Sequence, residues 1–260
     1  MKGLALALML LLPGASHAAA VARGTQAWPH AVVPYQVDHR LLVQAGADGT
    51  DCAGWGGWRE GAARQVCRAM AEWQASTGVR FVADTKRLDR LAIVPGDRTE
   101  ATPGYLPFGN SVHIEPGATY GAVLHEFGHT LGLMHEHQRP DRDRYITFAP
   151  FLRTDLAHCV GFTAVCRDVR LAFPVVATQM SSAYDPCSIM HYLSNQTPRH
   201  REDPRWGEIF TLTPAGEKAH AACGLQFAKM ALRCREVGQK CAISYDDAVI
   251  VRRFQRVESR

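Results

Sequence analysis

The sequence has 260 residues, of which 47% are hydrophobic and 21% charged, with a formal net charge of +4 at neutral pH. This composition suits one compact globular unit, long enough for a sizeable core or for two lobes around a cleft. The small positive excess is spread along the chain without a long basic block, which argues against a nucleic-acid-binding protein. Beyond the first twenty residues, no stretch approaches the ~20 apolar residues of a membrane helix, so no membrane anchor is predicted.

The first twenty residues have the pattern of a secretory signal peptide. Lys2 precedes an apolar run over residues 3–12, and small residues follow at 16–20. We therefore expect residues 1–18 to be a signal peptide, with position 20 as an alternative cleavage point, and the protein to be secreted or periplasmic. The sequence does not indicate an oligomeric state.

The chain after the leader alternates strands and helices before it becomes rich in loops. Its β-branched and aromatic runs predict strands at residues 31–37, 79–82, 91–94 and 111–114. The helical spacing of apolar residues predicts helices at 59–77, 120–131, 214–235 and 245–256. Gly78 ends the first of these helices, and Ser244 is the expected N-cap of the last. Residues 95–110 read as a loop and residues 147–213 as irregular, so the order predicts an α+β fold with two unequal lobes.

Eight cysteines follow the leader, and an even number in an exported protein favours disulfides. Their connectivity is not fixed by sequence. Short loops favour the pairs Cys52–Cys67, Cys159–Cys166 and Cys234–Cys241, which leaves Cys187–Cys223. Their spacing does not resemble a cysteine-based zinc site.

Residues 125–135 read H-E-F-G-H-T-L-G-L-M-H and predict a metal site. His125 and His129 lie one helical turn apart on one face, so they can bind the same metal ion. On a continuous helix His135 would lie ~15 Å along the axis from His125. Zn–N bonds are only about 2.0–2.1 Å long, so the chain must turn sharply to bring His135 back. Gly132 is placed to make that turn through the left-handed conformation.

Three neutral imidazoles leave a fourth position of zinc open, which is typical of a catalytic rather than a structural site. Zinc lowers the pKa of bound water to roughly 7. Glu126 follows the first ligand directly and is placed to take the proton from that water and pass it to the leaving amine. The sequence therefore predicts a zinc-dependent hydrolase with one catalytic Zn²⁺.

The stretch that follows resembles the astacin family of metzincin peptidases, whose signature is H-E-x-x-H-x-x-G-x-x-H-E-x-x-R-x-D-R-D-x-Y. Every fixed position from His125 to Tyr145 is met, including Glu136 directly after the third histidine. The run S-I-M-H-Y at 188–192 is similar to the family's Met-turn. By this resemblance Met190 forms the floor beneath the zinc ligands. Tyr192 is then an additional zinc ligand that swings away and hydrogen-bonds the oxyanion.

The resemblance also implies a metzincin-like catalytic domain over residues 19–260. Residues 19–136 would form an N-terminal lobe with a twisted, mostly parallel sheet, an antiparallel edge strand and two long helices. Residues 137–260 would form a loop-rich C-terminal lobe with a terminal helix. Ser111–Ile114 stands where the family has its edge strand, which would pair with protein or peptide substrates. Gly78 stands where the family usually has a cysteine, so the usual disulfide pattern is absent.

The start of the mature chain follows from the same resemblance. Cleavage after Ala18 would leave Ala19 as the first residue, and in the family the buried amino terminus interacts with the glutamate that is Glu136 here. The hypothesis is that signal cleavage alone makes the mature enzyme, without a pro-segment.

The function expected from the sequence is secreted endopeptidase activity. The alternatives are a secreted, non-catalytic zinc-bearing module that binds peptides and a toxin that acts on one host protein. Retention of Glu126 and Tyr192 argues against a pure binder. Many family members prefer an acidic residue just after the cut, and basic candidates for reading it lie in the loop after the Met-turn, at Arg199, Arg201 and Arg205.

Overall fold

The computed structural model describes residues 19–47, 49, 51–153, 172–181, 183–194 and 208–256. Its strands are β1 (Ala20–Ala22), β2 (Val32–Val37), β3 (Arg80–Ala83), β4 (Leu91–Pro95), β5 (Glu100–Ala101), β6 (Ser111–Ile114), β7 (Ile146–Phe148), β8 (Thr178–Ser181) and β9 (Phe210–Leu212). Its α-helices are α1 (His39–Ala45), α2 (Ala62–Thr77), α3 (Tyr120–Thr130), α4 (Pro214–Gln226) and α5 (Tyr245–Gln255). The mixture of helices with a mostly parallel central sheet in the first half confirms the predicted fold class.

The central sheet has five strands in the order β3-β2-β4-β6-β5. Four of them run parallel, and only β5 is antiparallel, on β6. The prediction that Ser111–Ile114 is the antiparallel edge strand is therefore wrong. That segment is parallel to β4 and lies inside the sheet, and the edge strand is Glu100–Ala101, in a stretch interpreted as a loop. Two residues are too few to show the alternation by which a strand is recognised, so only tertiary pairing defines this strand.

Helix α2 confirms the amphipathic pattern predicted for it. Val66, Met70 and Trp73 lie on one buried face, and the helix ends where Gly78 takes the left-handed conformation with φ 78°. The indole nitrogen of Trp73 donates to the carbonyl of Leu124 in α3 at 2.9 Å. This bond ties the helix that carries the metal motif to the core of the first half.

The second half carries its own short sheet, in which β7 and β9 pair antiparallel. Residues 147–213 therefore contain strand structure where only irregular chain was predicted. The helix predicted at 214–235 ends at Gln226, and a separate 3₁₀ turn covers Leu232–Arg235. The last helix begins at the predicted cap, Ser244, which forms a capping box with Asp247.

Three of the four favoured disulfides are present: Cys52–Cys67, Cys187–Cys223 and Cys234–Cys241. Cys159 and Cys166 lie outside the described residues. No helix in the described ranges has the length and apolar character needed to cross a bilayer.

Strand β1 joins the start of the described chain to both halves of the molecule. It pairs antiparallel with β8, and Val21 forms a bridge with Leu133, just before the third histidine of the motif. The amide of Met134 donates to the carbonyl of Ala20 at 3.0 Å. This pairing holds the chain on which His135 returns.

Candidate zinc centre

Helix α3 presents the first two histidines, and a glycine turn returns the third. The helix begins at a cap in which Thr119 accepts from the amide of Ala122, and it ends at Thr130. Gly132 then adopts φ 98°, the left-handed conformation predicted for it. As a result the Nε2 atom of His135 lies 3.1 Å from the Nε2 atoms of both His125 and His129.

The three rings are oriented as zinc ligands should be. Each Nδ1 atom lies within 2.7–3.0 Å of a carbonyl oxygen, those of Ile189, Leu133 and the Gln138 side chain respectively. A carbonyl oxygen only accepts, so each ring carries its hydrogen on Nδ1 and turns the Nε2 lone pair inward. Three lone pairs at one point repel each other unless a cation lies between them, so the donor set fits Zn²⁺.

The histidines are kept neutral by their surroundings. Burial lowers the pKa of all three, to about 4 for His129 and well below the usual value for His125 and His135. The neighbouring imidazoles and Lys240 add to the lowering at His125. Because a metal binds only the neutral ring, zinc meets little competition from protons at neutral pH.

Glu126 lies beside the first histidine and close to the edge strand. Burial raises the pKa of Glu126 to about 8, while Lys240 and a hydrogen bond from the backbone of Ala101 oppose that rise. Ala101 belongs to β5, the outermost strand of the central sheet among the described residues, so the Glu126 carboxylate lies next to that strand as well as next to His125. A bound Zn²⁺ would further favour the charged, proton-accepting form.

The Met-turn lies directly beneath α3. The carboxylate of Asp247 accepts from the hydroxyl of Ser188 at 2.6 Å and from the amide of Ile189 at 2.9 Å. Met190 is buried, and its sulfur occupies the space that a Cβ atom at Gly128 would need. The C-terminal helix thus fixes the turn on which Met190 lies.

Tyr192 packs next to the third histidine. Its ring centroid is 4.7 Å from that of His135 and 4.0 Å from that of His137. The ring of Tyr192 thus lies beside the third histidine, and its roles as zinc ligand and oxyanion donor stay predictions.

Glu136 is buried, and in the part of the chain that the structure describes only one of its two carboxylate oxygens has hydrogen-bond donors. Its Oε1 atom accepts from Arg139 at 2.9 Å and from the amide of Asp185 at 2.8 Å. Within the described ranges its Oε2 atom is buried without a hydrogen-bond partner. Burial, the largest influence, raises the pKa of Glu136 to about 7.

Sequence reasoning missed two polar residues at the site, Gln138 and Lys240. The Nζ atom of Lys240 lies 2.7 Å from the carbonyl oxygen of Ile189 and 3.1 Å from Nδ1 of His125. Burial lowers the pKa of Lys240 to about 7, and the charge of Glu126 opposes that lowering. Lys240 follows the histidine by more than a hundred residues, so no local pattern connects them. The loop arginines Arg199, Arg201 and Arg205 lie outside the described residues.

Comparison with known proteins assigns the chain to a family. The model of the peptidase family Astacin matches residues 57–228, about two thirds of the sequence. The chain belongs to the astacin family. This membership bears out the recognised motif and supports zinc as the cofactor, in agreement with the three histidines brought together here.

Two relatives show how much of the chain is similar to known proteins of this kind. Astacin-like metalloprotease toxin 2 of Loxosceles intermedia is 30% identical over 131 residues, which cover 49% of this chain and 44% of the toxin. Tolloid-like protein 2 of Homo sapiens is 28% identical over 208 residues, 74% of this chain and 18% of that protein. The match thus spans less than half the length of either relative.

Solved structures agree with the astacin fold. The chain is similar to high choriolytic enzyme 1, a hatching enzyme zinc-protease from Oryzias latipes, with a TM-score of 0.60 and 18% identity over 90% of this chain and 94% of that one. Myroilysin gives a TM-score of 0.53 at 19% identity over 90% and 98% of the two chains.

Proposed function

We propose that this protein is a secreted zinc-dependent endopeptidase. The observation that carries the proposal is the set of three neutral imidazoles around one point, with Glu126 beside them and the sheet edge adjacent. Bound zinc would supply an acidified water and polarise the scissile carbonyl. Glu126 takes the proton of the attacking water and delivers it to the leaving amine, and the Tyr192 hydroxyl donates to the oxyanion.

The substrate lies along β5 in this proposal. Glu100–Ala101 is the edge strand, and the Ala101 backbone already contacts Glu126. An extended peptide added to that edge would form main-chain hydrogen bonds and pass its backbone across the general base. Because the recognition is through the main chain, many sequences can bind at this edge.

We propose that Lys240 contacts the substrate side chain that directly follows the scissile bond and favours an acidic residue there. Its ammonium group is buried beside the first zinc ligand, and the Ile189 and His191 carbonyls that it contacts carry no full charge. An acidic side chain bound there would gain a charge-assisted hydrogen bond. Lys240 is thus a second candidate for an acidic preference, beside the loop arginines, which lie outside the described residues.

We also propose that residues 1–18 are removed as a leader and that the new amino group lies near Glu136. The antiparallel bridge between Val21 and Leu133 puts Ala19 level with His135, one residue from Glu136. Ala19 is buried, and Glu136 has an uncompensated buried oxygen for an ammonium group to contact. The three disulfides of the described residues favour an oxidising compartment, consistent with export. The mass of the exported protein tests the leader, because a first residue well beyond Trp28, or a retained leader, would contradict it.

The decisive experiment compares wild type with Glu126→Gln on a peptide library, with and without a zinc chelator. We expect wild type to cleave internal peptide bonds, the chelator to abolish cleavage, and the variant to bind zinc but lose activity by about 10²–10⁴-fold. A non-catalytic zinc-bearing binder would leave the library intact in both proteins. Full activity of Glu126→Gln would refute the proposed mechanism.

A further inference from the structure

The third zinc ligand is held differently from the other two. Nδ1 of His125 donates to the main-chain carbonyl of Ile189 at 2.7 Å, and Nδ1 of His129 donates to that of Leu133 at 2.8 Å. Nδ1 of His135 instead donates to a side chain, the amide oxygen of Gln138, at 3.0 Å. Substitution at residue 138 can therefore remove the partner of one ligand and leave the other two intact.

Gln138 is fixed in the position that this bond requires. The residue is only 7% exposed, and it lies in the 3₁₀ turn Glu136–Gln138 that follows His135. Its main-chain carbonyl accepts from the amide of Val176 at 2.8 Å, which anchors the turn to the chain leading into β8. The family signature leaves the residue at this position open, so the bond is a property of this chain and not of the motif.

The amide oxygen, rather than the amide nitrogen, must face the imidazole. If the nitrogen donated to Nδ1, the ring would carry its hydrogen on Nε2. That hydrogen would point at the other two Nε2 atoms, each 3.1 Å away, where a metal ion has to enter. The oxygen-facing arrangement leaves all three lone pairs available.

We propose that Gln138 is a positioning residue for zinc, which selects the Nδ1–H tautomer of His135 and holds its ring toward the metal. The inference rests on the zinc site of the proposed function and adds a residue that determines the affinity of this site for zinc. Partners behind a metal-binding histidine fix its orientation and raise its basicity, and their loss weakens metal binding by about 10- to 100-fold. A carboxylate in the same place would perform the same task at least as well.

The test measures zinc affinity in a Glu126→Gln background, where peptide cleavage plays no part. Gln138→Met preserves the length of the side chain and removes the acceptor, and Gln138→Glu restores one. By competition with a chromogenic chelator we expect Gln138→Met to bind zinc about 10- to 100-fold more weakly, and Gln138→Glu to match or exceed the parent. The visible spectrum of the Co²⁺ form should change in Gln138→Met and return in Gln138→Glu.

Gln255→Met is the matched control, because that glutamine is also buried but bonds to Trp28 and Leu131 and to no imidazole. We expect it to lower stability and leave zinc affinity unchanged. Equal zinc affinity of Gln138→Met and its parent would overturn the inference. Failure of the parent to bind zinc would instead count against the proposed function.

A variant at residue 138 could fail to fold, so a second measurement uses the parent protein alone. Long-range ¹H–¹⁵N correlation spectra of the zinc-free parent report the tautomer of each histidine. We expect His135 to carry its hydrogen on Nδ1. A hydrogen on Nε2 would overturn the inference.

Discussion

The backbone of Gly132 lies directly against the ring of Phe254. A Cβ atom at residue 132 would overlap Cε1 of that ring and lie 2.9 Å from Cδ1. The same glycine has φ 98°. The turn that returns the third histidine to the zinc site is thus formed by a left-handed residue that also allows α5 to pack closely behind it.

Gly132→Ala should be strongly destabilising for two separate reasons. A non-glycine residue in this conformation costs about 1–3 kcal/mol. Overlap with Phe254 adds about 1–3 kcal/mol through overpacking. Thermal unfolding and zinc affinity should both fall. Gly24→Ala is the matched control, because Gly24 has φ 88° and no atom within 4 Å of its added Cβ. Equal destabilisation by the two substitutions would show that the contact with Phe254 is unimportant.

Tyr192→Phe should lower kcat with little effect on KM. The ring packing against His135 and His137 is retained, and only the hydroxyl that we propose to donate to the oxyanion is lost. Loss of one such donor costs about 10²–10³ in kcat. Steady-state kinetics on one peptide substrate test this. Tyr184→Phe is the control: its hydroxyl bonds to His191 at 2.6 Å, and its loss should reduce stability more than kcat. An increase in KM alone for Tyr192→Phe would contradict the oxyanion role.

Lys240→Met should weaken any preference for an acidic residue just after the cut. Loss of a charge-assisted hydrogen bond is worth about 1.5–3 kcal/mol. The ratio of kcat/KM for acidic over neutral peptides should therefore fall about tenfold or more. Zinc content is measured in parallel, since Lys240 also contacts His125. Lys229→Met removes an exposed lysine and should leave the ratio unchanged. An unchanged ratio in Lys240→Met would exclude this residue as the source of the preference.

Glu136 should make folding stability depend on pH. Its pKa in the folded protein is about 7, above the value near 4.5 of an exposed glutamate, so the folded state favours the protonated form. Its stabilising contribution is complete below about pH 4.5 and is lost as the pH rises to about 7, roughly 3 kcal/mol in total. Glu136→Gln keeps a neutral side chain and should show a smaller loss of unfolding free energy over that range. Denaturant unfolding of the zinc-free protein measures it.

The exposed Glu217 provides the control, since Glu217→Gln should leave the wild-type pH dependence intact. A chain that starts at Ala19 should depend less on pH than one extended by a few residues, because an ammonium group near Glu136 favours its carboxylate. Identical curves for wild type and Glu136→Gln would contradict the assignment of this pH dependence to Glu136.

The parts of the site that could be predicted from sequence are those whose residues lie close together in the chain at characteristic spacings. His125, His129 and His135, with Gly132 between them, occupy eleven consecutive residues, and the length of a helix is enough to show that the glycine must turn. Ser244 is recognisable from sequence as an N-cap because capping acts within a single turn.

The parts that could not be predicted depend on distant segments. Strand β5 has two residues, so its place at the edge is known only from its pairing with β6. This is why the sequence predicts Ser111–Ile114, with its clearer strand pattern, as the edge strand instead. Lys240 and Gln138 show no local pattern of their own and gain their significance from Ile189 and His135, which they meet only in the folded chain.

Two disulfides flank the residues that complete the site. Cys187, three residues before Met190, is joined to Cys223, and Cys241, directly after Lys240, is joined to Cys234. The zinc-binding histidines lie within one short stretch that these bridges do not enclose. We therefore expect zinc binding to be established before the preference for particular substrates. We expect a newly made, still reduced chain to bind zinc first, and oxidation then to tether the segments that carry Met190 and Lys240.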